Sequence, residues 1–252
     1  MTIIYHDAVV QGSEEWAALR CGILTASEMK LIVTPPPGAE ERIKKDGTPY
    51  KPREWNPIAR NDKEKAHLFE LLAQRITRYV EPRYISDDML RGQADEIEAR
   101  ALYVRHFAPV TDVGFVTNDE WGFTIGYSPD GLVADDGLIE CKSRRQRFQV
   151  ETVINAFMAG TIDPDYVIQA QTGLLVTRRP WLDHISYSGG LPMTVVRVYP
   201  DEKVQAAIIL AATDFEERLA DNMAVYDRAI AAGSGLRTVP TERRIEMEMY
   251  IA

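Results

Sequence analysis

Residues 128–143 have the sequence SPDGLVADDGLIECKS, and this stretch decides the fold. It places Asp130 after a proline and, ten residues later, Glu140, one spacer and Lys142. The turn ADDG predicts a β-hairpin whose register brings Asp130 opposite or diagonal to residues 141–143. Because alternate side chains of a strand share a face, Glu140 and Lys142 point one way and Cys141 points the other. The pattern therefore gathers two carboxylates and an ammonium at one edge of a sheet.

Such a cluster suits a hard divalent cation such as Mg²⁺, which prefers carboxylate oxygens and keeps positions open for water and phosphate. The lysine can hold or help to deprotonate an attacking water while the metal polarises the phosphate. The alternative is an ordinary surface hairpin with a solvated Glu and Lys, and the bare spacing on its own favours that alternative. However, Leu138 and Ile139 run directly into Glu140, and a charge in so apolar a strand would be costly without partners.

The rest of the chain predicts an α/β protein with a central mixed β-sheet flanked by helices, organised as one domain over residues 1–252. Residues 112–143 have the composition of three or four antiparallel strands. Apolar periodicity predicts the remaining elements: helices near 60–80, 88–107, 147–159 and 164–177, strands near 184–188 and 194–199, and a long helix over about 201–231.

Three local features carry further expectations. Thr25 as N-cap and Glu28 three residues later form a capping box, which predicts that a helix begins there. Residues 35–58 hold six of the 14 prolines and predict a long loop. The helix over 88–107 is expected to bury Ile97, Ala101, Val104 and Phe107.

Composition excludes some function classes. The 252 residues contain no apolar run of about 18 residues, and the start MTIIYHDAVV lacks a signal-peptide pattern, so a cytoplasmic protein is expected. The formal net charge of -9 argues at first against a nucleic-acid partner. However, the segment KSRRQR at 142–147 concentrates positive charge. Positive charge is therefore locally concentrated in a chain that is acidic overall.

These motifs together resemble one known family. SPDGL followed by GLIECK resembles the PD-(D/E)xK nuclease core of the phage lambda exonuclease group, the YqaJ-type viral recombinases. RCGILTAS at 20–27, GQADEIEAR at 92–100 and YVIQAQTGLLVTRR at 166–179 resemble further blocks of that family, in the same order. The resemblance implies a PD-(D/E)xK restriction-endonuclease-like core in this chain.

The resemblance also implies an activity. Members degrade one strand of duplex DNA from 5′ to 3′, require Mg²⁺ or Mn²⁺, and leave a 3′ single-stranded tail for a single-strand annealing protein. Relatives of the lambda enzyme form ring-shaped homotrimers around DNA. A phage-encoded member would act in the cytoplasm of its host cell.

Residue roles carried over from the family stay implications of the resemblance. Asp130, Glu140, Glu96 and the backbone carbonyl of Cys141 correspond to the metal ligands. Lys142 corresponds to the catalytic lysine, and Gln169, with Gln171 as the alternative, to the site glutamine. The 5′-phosphate and DNA contacts would come from five residues: Arg20, Thr25, Ser27, Arg144 and Arg145. Arg20 and Ser27 flank the predicted helix start, where free N–H groups favour an anion.

Two other functions stay open at this point. A PD-(D/E)xK endonuclease or repair nuclease would share the same core and differ in its products. A catalytically silent DNA-end-binding protein would have lost Asp130, Glu140 or Lys142, and all three are present.

Overall fold

A computed structural model describes residues 2–36, 54–82, 86–231 and 233–243. Eight β-strands lie within these ranges: β1 (Ile3–His6), β2 (Leu24–Thr25), β3 (Phe115–Asn118), β4 (Ile125–Tyr127), β5 (Gly131–Val133), β6 (Gly137–Ser143), β7 (Trp181–Tyr187) and β8 (Thr194–Val198). The α-helices of these ranges are α1 (Glu14–Arg20), α2 (Asp62–Thr77), α3 (Asp87–His106), α4 (Gln146–Ala159), α5 (Pro164–Thr177) and α6 (Glu202–Ile230). None of the helices in the described ranges is both long and apolar enough to cross a lipid bilayer.

The strands form two four-stranded sheets, in the orders β1-β3-β4-β2 and β5-β6-β7-β8. Each sheet is mixed, because β2 pairs parallel with β4 and β6 pairs parallel with β7 while the other pairs are antiparallel. The predicted α/β class is confirmed. The expected mixed β-structure flanked by helices is also confirmed, but the strands form two sheets instead of one, and the chain passes from the first sheet to the second between Tyr127 and Gly131. Pro129 lies at this junction and has no N–H to continue a strand ladder.

β6 is an inner strand of the second sheet. It pairs with β5 on one edge and with β7 along its whole length on the other. Leu138 faces the core that α5 and α6 share, whereas Ile139 and Cys141 face α3. Glu140 and Lys142 therefore lie on the α5 side, and the alternation predicted from the sequence is confirmed.

The helix over Asp87–His106 is present, but it turns a different face to the protein than expected. Ala99 and Tyr103 are its buried residues, and the Tyr103 hydroxyl donates a 2.6 Å hydrogen bond to Asp183. Four predicted core residues are exposed instead: Ile97, Ala101, Val104 and Phe107. The prediction was wrong because periodicity locates an apolar stripe without indicating which element covers it.

The predicted helix start at Thr25 is also wrong. Leu24–Thr25 forms β2, and only a single 3₁₀ turn, Met29–Leu31, follows. The Thr25 hydroxyl does donate to Glu28, at 2.8 Å, but this bond closes a turn. Pairing of Leu24 with Ile125 holds the segment extended, and this tertiary contact overrides the capping signal.

The proline-rich segment is described only at its ends. Its interior, residues 37–53, lies outside the described residues. At the base, the Thr34 N–H donates to the carbonyl of Pro57, and the Trp55 indole donates to the carbonyl of Thr34.

Two helical glycines make a matched pair for a stability test. A Cβ on Gly173 in α5 would lie 2.7 Å from Cζ of the buried Tyr127 ring, whereas a Cβ on Gly92 in α3 meets nothing within 4 Å. We expect Gly173→Ala to lower the free energy of unfolding by about 1–2 kcal/mol through overpacking. Gly92→Ala should raise it by about 0.5–1 kcal/mol through helix propensity. Urea denaturation measures both, and equal effects in the two variants would contradict the packing.

The buried His184 on β7 gives a second stability test. Burial, and then the nearby cations Lys142 and Arg144, lower the pKa of His184 to about 3. An unfolded histidine has a pKa of about 6.5, so the unfolded chain takes up a proton between pH 7 and pH 5 that the folded protein does not. Folding stability from this group is therefore present above pH 6.5 and is lost as the pH falls.

We expect the free energy of unfolding of the wild-type protein to fall between pH 7 and pH 5 by about 2 kcal/mol more than that of His184→Gln. Urea denaturation at both pH values, with a chelator present, measures this difference. His106→Gln, at an exposed position on α3, is the control and should follow the wild type. Parallel pH dependence of the wild type and His184→Gln would contradict the buried neutral state.

Candidate active site

Four of the five predicted catalytic residues, all but Glu96, line one cavity of about 230 Å³ beside the C-terminal half of β6. β6, the segment after β4, α5 and the segment after α1 each supply part of its wall. Six residues singled out in the sequence line it: Arg20, Ser27, Asp130, Glu140, Lys142 and Gln169. The other lining residues are Trp16, Ala26, Tyr127 and Ser128.

Asp130 is fixed against the backbone of β6. Its N–H donates to the carbonyl of Ile139, and its carboxylate accepts a short hydrogen bond from the N–H of Cys141. Alternate residues of a strand direct their backbone groups to the same edge, so the Cys141 carbonyl also points to the Asp130 side. Pairing with β5 ends at Gly131 and Ile139, so none of the strands in the described ranges covers that carbonyl.

Glu140 is buried, with 3% exposure, and three donors surround its carboxylate. Lys142 Nζ lies 2.7 Å and Gln169 Nε2 2.5 Å from Oε1, while the Tyr127 hydroxyl donates to Oε2 over 2.6 Å. These contacts offset the cost of burying the charge. Burial lowers the pKa of Lys142, but the carboxylates of Glu140 and Asp130 raise it more, so that its net shift is upward.

Glu96 lies at the margin of this cluster. It is half-buried on α3 and does not line the cavity. Burial and then the charge of Glu140 raise the pKa of Glu96, and burial, Glu140 and Glu96 in turn raise the pKa of Asp130. The three carboxylates therefore lie within each other's electrostatic field.

The residues present fit a divalent cation by the chemistry of their donors. Asp130 and Glu140 supply carboxylate oxygens, and the Cys141 carbonyl supplies a third oxygen on the same edge, which is the hard ligand set that Mg²⁺ prefers. Within the described ranges, no three His, Cys, Asp or Glu side chains are grouped closely enough to form a metal site by themselves.

Other residues that line the cavity offer hydrogen-bond donors. Arg20, the last residue of α1, has its guanidinium 4.2 Å from the centroid of the Trp16 ring, and the Trp16 indole donates to the Ser128 hydroxyl. Ser27 is exposed at the cavity wall. Thr25 is buried below it with its hydroxyl bound to Glu28, so it does not reach the cavity. Because the turn after Ser27 is only a 3₁₀ turn, the expected helix N-terminus is absent here.

Arg144 and Arg145 lie outside this cavity and line a separate pocket. Arg144 donates to Asp163 and to the Tyr166 hydroxyl, and Arg145 pairs with Asp88. Gln171 also lies away from the cavity, where it binds the backbone of Tyr199 and Asp201. Of the two candidate glutamines, Gln169 is therefore the one that contacts Glu140.

Sequence reasoning missed several residues around the site. Tyr127 donates to Glu140, Ser128 and Trp16 line the cavity, and the Tyr166 ring lies 5.4 Å from Lys142 Nζ. Tyr166 precedes Gln169 by three residues on α5, so helix spacing could have indicated it. Tyr127 could have been sought as the donor that a buried glutamate needs. No sequence signal pointed to Trp16.

Comparison with known proteins gives consistent matches. The YqaJ-like viral recombinase domain matches residues 57–180. The crystal structure of an alkaline exonuclease, LHK-Exo from Laribacter hongkongensis, is 28% identical, with 86% of this chain and 97% of that chain covered and a TM-score of 0.67. The same exonuclease in complex with dAMP matches over the same shares at 28% identity, with a TM-score of 0.68.

A phage-related exonuclease from Haemophilus somnus 129PT is 17% identical, with 80% of this chain and 96% of that chain covered and a TM-score of 0.49. No curated protein matches the chain.

The resemblance inferred from the sequence is confirmed by the match to the YqaJ-like viral recombinase domain and by the similarity to LHK-Exo. The matched region, residues 57–180, includes Asp130, Glu140, Lys142, Glu96 and Gln169. The chain carries a YqaJ-like viral recombinase domain over residues 57–180.

Proposed function

We propose that this chain is a Mg²⁺-dependent exonuclease that degrades one strand of duplex DNA from 5′ to 3′, with residues 1–252 acting as one nuclease domain. The observation that carries the proposal is the buried Glu140, held by Lys142 and Gln169 in a cavity that Asp130 and the donors Arg20, Ser27 and Ser128 also line. The similarity to LHK-Exo, an alkaline exonuclease crystallised with dAMP, supports it.

Asp130, Glu140 and the Cys141 carbonyl would hold the metal, with Glu96 beside them. When bound, Mg²⁺, or Mn²⁺ in its place, would polarise the scissile phosphate and stabilise the leaving oxygen. Glu140 restrains Lys142 and Gln169 through its Oε1 atom, so that their remaining N–H groups can orient water and phosphate oxygens. Tyr127 keeps Glu140 itself in place from the other side.

Selection of a 5′ end would come from the hydrogen-bond donors of the cavity wall. A terminal phosphate carries more negative charge than an internal phosphodiester, so a pocket of cationic and hydroxyl donors favours it. Arg20, Ser27 and Ser128 are such donors and line the same cavity as Asp130 and Glu140. A strand bound there by its terminal phosphate would present a phosphodiester to the two carboxylates.

The 3′ tails produced would be substrates for a single-strand annealing protein. The enzyme would act as a homotrimer. It would be located in the cytoplasm, which is that of the host cell if the protein is phage-encoded. The support for these points is the YqaJ-like viral recombinase domain.

Digestion of linear duplex DNA with 5′-phosphates, with and without Mg²⁺, tests the activity. We expect mononucleotides from the labelled 5′ end, no product without metal, and no cutting of a covalently closed circle. Lys142→Ala should lower kcat by about 100-fold or more, because a positioned cation is lost from the reacting centre. Lys203→Ala, at an exposed position on α6, is the matched control and should retain wild-type activity.

Other outcomes favour the other functions. Cutting of the closed circle would indicate an endonuclease. Release from the 3′ end would contradict the direction, and binding of ends without metal-dependent cleavage would leave a silent end-binding protein.

The two neighbouring glutamines separate catalysis from folding. Gln169→Ala removes a donor from Glu140 at the half-buried cavity wall, and we expect kcat to fall about 10-fold or more with little change in stability. Gln171→Ala leaves backbone groups of Tyr199 and Asp201 without a partner. It should lower the free energy of unfolding by about 1–3 kcal/mol and leave kcat per folded molecule unchanged. Steady-state kinetics and urea denaturation measure both, and a reversal of the two effects would contradict the assignment of Gln169.

A further inference from the structure

A second pocket, of about 580 Å³, lies beside the first turns of α3 and α4 and the connection between β7 and β8. We call it the arginine pocket, since Arg91, Arg144, Arg145 and Arg147 line it together with Asp95 and Ser188. It shares no lining residue with the catalytic cavity. None of the catalytic roles assigned above uses it.

The acids around the arginine pocket neutralise only part of its charge. Asp88 pairs with Arg91 and Arg145, and Asp163 pairs with Arg144. Asp95 accepts a hydrogen bond from Ser143 and lies 3.9 Å from Arg91. Arg147 lies over the Phe148 ring and forms no ion pair with any acid in the described part of the chain. Three acids face four guanidiniums, and Arg147 has no acidic partner among the described residues, so this concave surface has a positive excess in a chain whose net charge is -9.

Two further features of the pocket suit an anion. The Nε of Arg144 is buried and has no hydrogen-bond partner among the described residues. In addition, α4 begins here with Arg145 as its N-cap, and a guanidinium cannot accept from the first-turn N–H groups. Every other α-helix within the described ranges has a capping side chain, namely Ser13, Asn61, Ser86, Asp163 and Asp201. Arginines at an uncapped N-terminus oppose the helix dipole unless an anion is bound there.

The arginine pocket is close to the catalytic cavity along the chain. Lys142 lines the cavity and Arg144, two residues later, lines the pocket, so their Cα atoms are at most about 7 Å apart. Successive phosphates of a DNA strand advance about 3.4 Å along the helix axis. A DNA molecule with its end in the cavity therefore brings backbone phosphates within reach of the pocket.

We infer that the arginine pocket binds backbone phosphodiester groups of the DNA substrate, separately from the terminal phosphate bound in the cavity. The inference rests on the proposed exonuclease function and adds a second contact surface to it. Phosphodiesters could come from the cut strand or from its complement, and the chemistry of recognition is the same for both. Backbone contacts position a substrate without reading its sequence.

The test uses the Arg91→Ala/Arg147→Ala double variant and a control of equal charge change, Arg105→Ala/Arg228→Ala, at exposed positions of α3 and α6. On linear duplex DNA near 0.15 M salt we expect the double variant to have a KM raised about 10-fold and a kcat within about 2-fold of wild type. The slope of log KM against log salt should fall by about 2, one for each lost phosphate contact. The control should match the wild type in all three quantities.

A single variant keeps the test informative if the double variant does not fold. Arg147→Glu changes a residue without an ion pair among the described acids, so its fold should be retained, and it should raise KM at least as much as the double variant. Neutral methylphosphonate linkages within about five nucleotides of the end then identify the strand. Linkages in the contacted strand should raise the wild-type KM and have little further effect on the double variant.

Three results would overturn the inference: a double variant that matches the control in KM and salt slope, a fall in kcat at unchanged KM, or neutral linkages that have no effect in either strand. These results differ from failure of the proposed function, in which the wild-type protein itself releases no nucleotides from linear DNA.

Discussion

The site depends on the burial of one carboxylate. Glu140 lies within an inner strand whose neighbouring residues are apolar. Its carboxylate is removed from water, and this burial costs free energy. Its environment must therefore supply donors from three separate elements: Lys142 on the same strand, Gln169 on α5 and Tyr127 at the end of β4. These donors can also contact water and phosphate. The residues that stabilise the buried Glu140 therefore also form the site.

The passage between the two sheets provides the second constraint. Pro129 ends the ladder of the first sheet, and Asp130 begins the hairpin of the second with its carboxylate on the Cys141 N–H. In a continuous strand, Asp130 would be paired with a residue of a neighbouring strand. The break instead leaves its carboxylate at an open edge beside Glu140. The same break leaves the Cys141 carbonyl without a paired strand in the described part of the chain. The passage between the sheets therefore leaves two oxygen donors on this edge, the Asp130 carboxylate and the Cys141 carbonyl.

The arrangement of Asp130, Glu140 and Lys142 was predictable from sequence because its rules are local. A spacing of two in a strand fixes the common face of Glu140 and Lys142, and the hairpin brings Asp130 beside β6, where its carboxylate accepts from the Cys141 N–H. The sequence-based predictions failed where tertiary contacts determine the local structure. The Thr25 to Glu28 bond occurs in a turn as readily as in a helix cap, and an apolar stripe such as that of Ile97 and Val104 does not reveal whether another element covers it. The division of the arginines between two pockets likewise depends on where α4 begins in space.

Charge distribution explains how an acidic chain can act on DNA. Away from the site, some basic side chains are neutralised within the fold, such as Arg75 by Glu216 across α2 and α6 and Arg218 by the buried Glu64. These cations attract phosphate weakly, because their charge is already paired. Around the site the balance is reversed, since the acids of the cavity suit a cation and the arginine pocket has more guanidiniums than acids. On the proposed function, a net charge of -9 would then disfavour binding elsewhere on the surface and leave the DNA end and its adjoining backbone as the favoured contact.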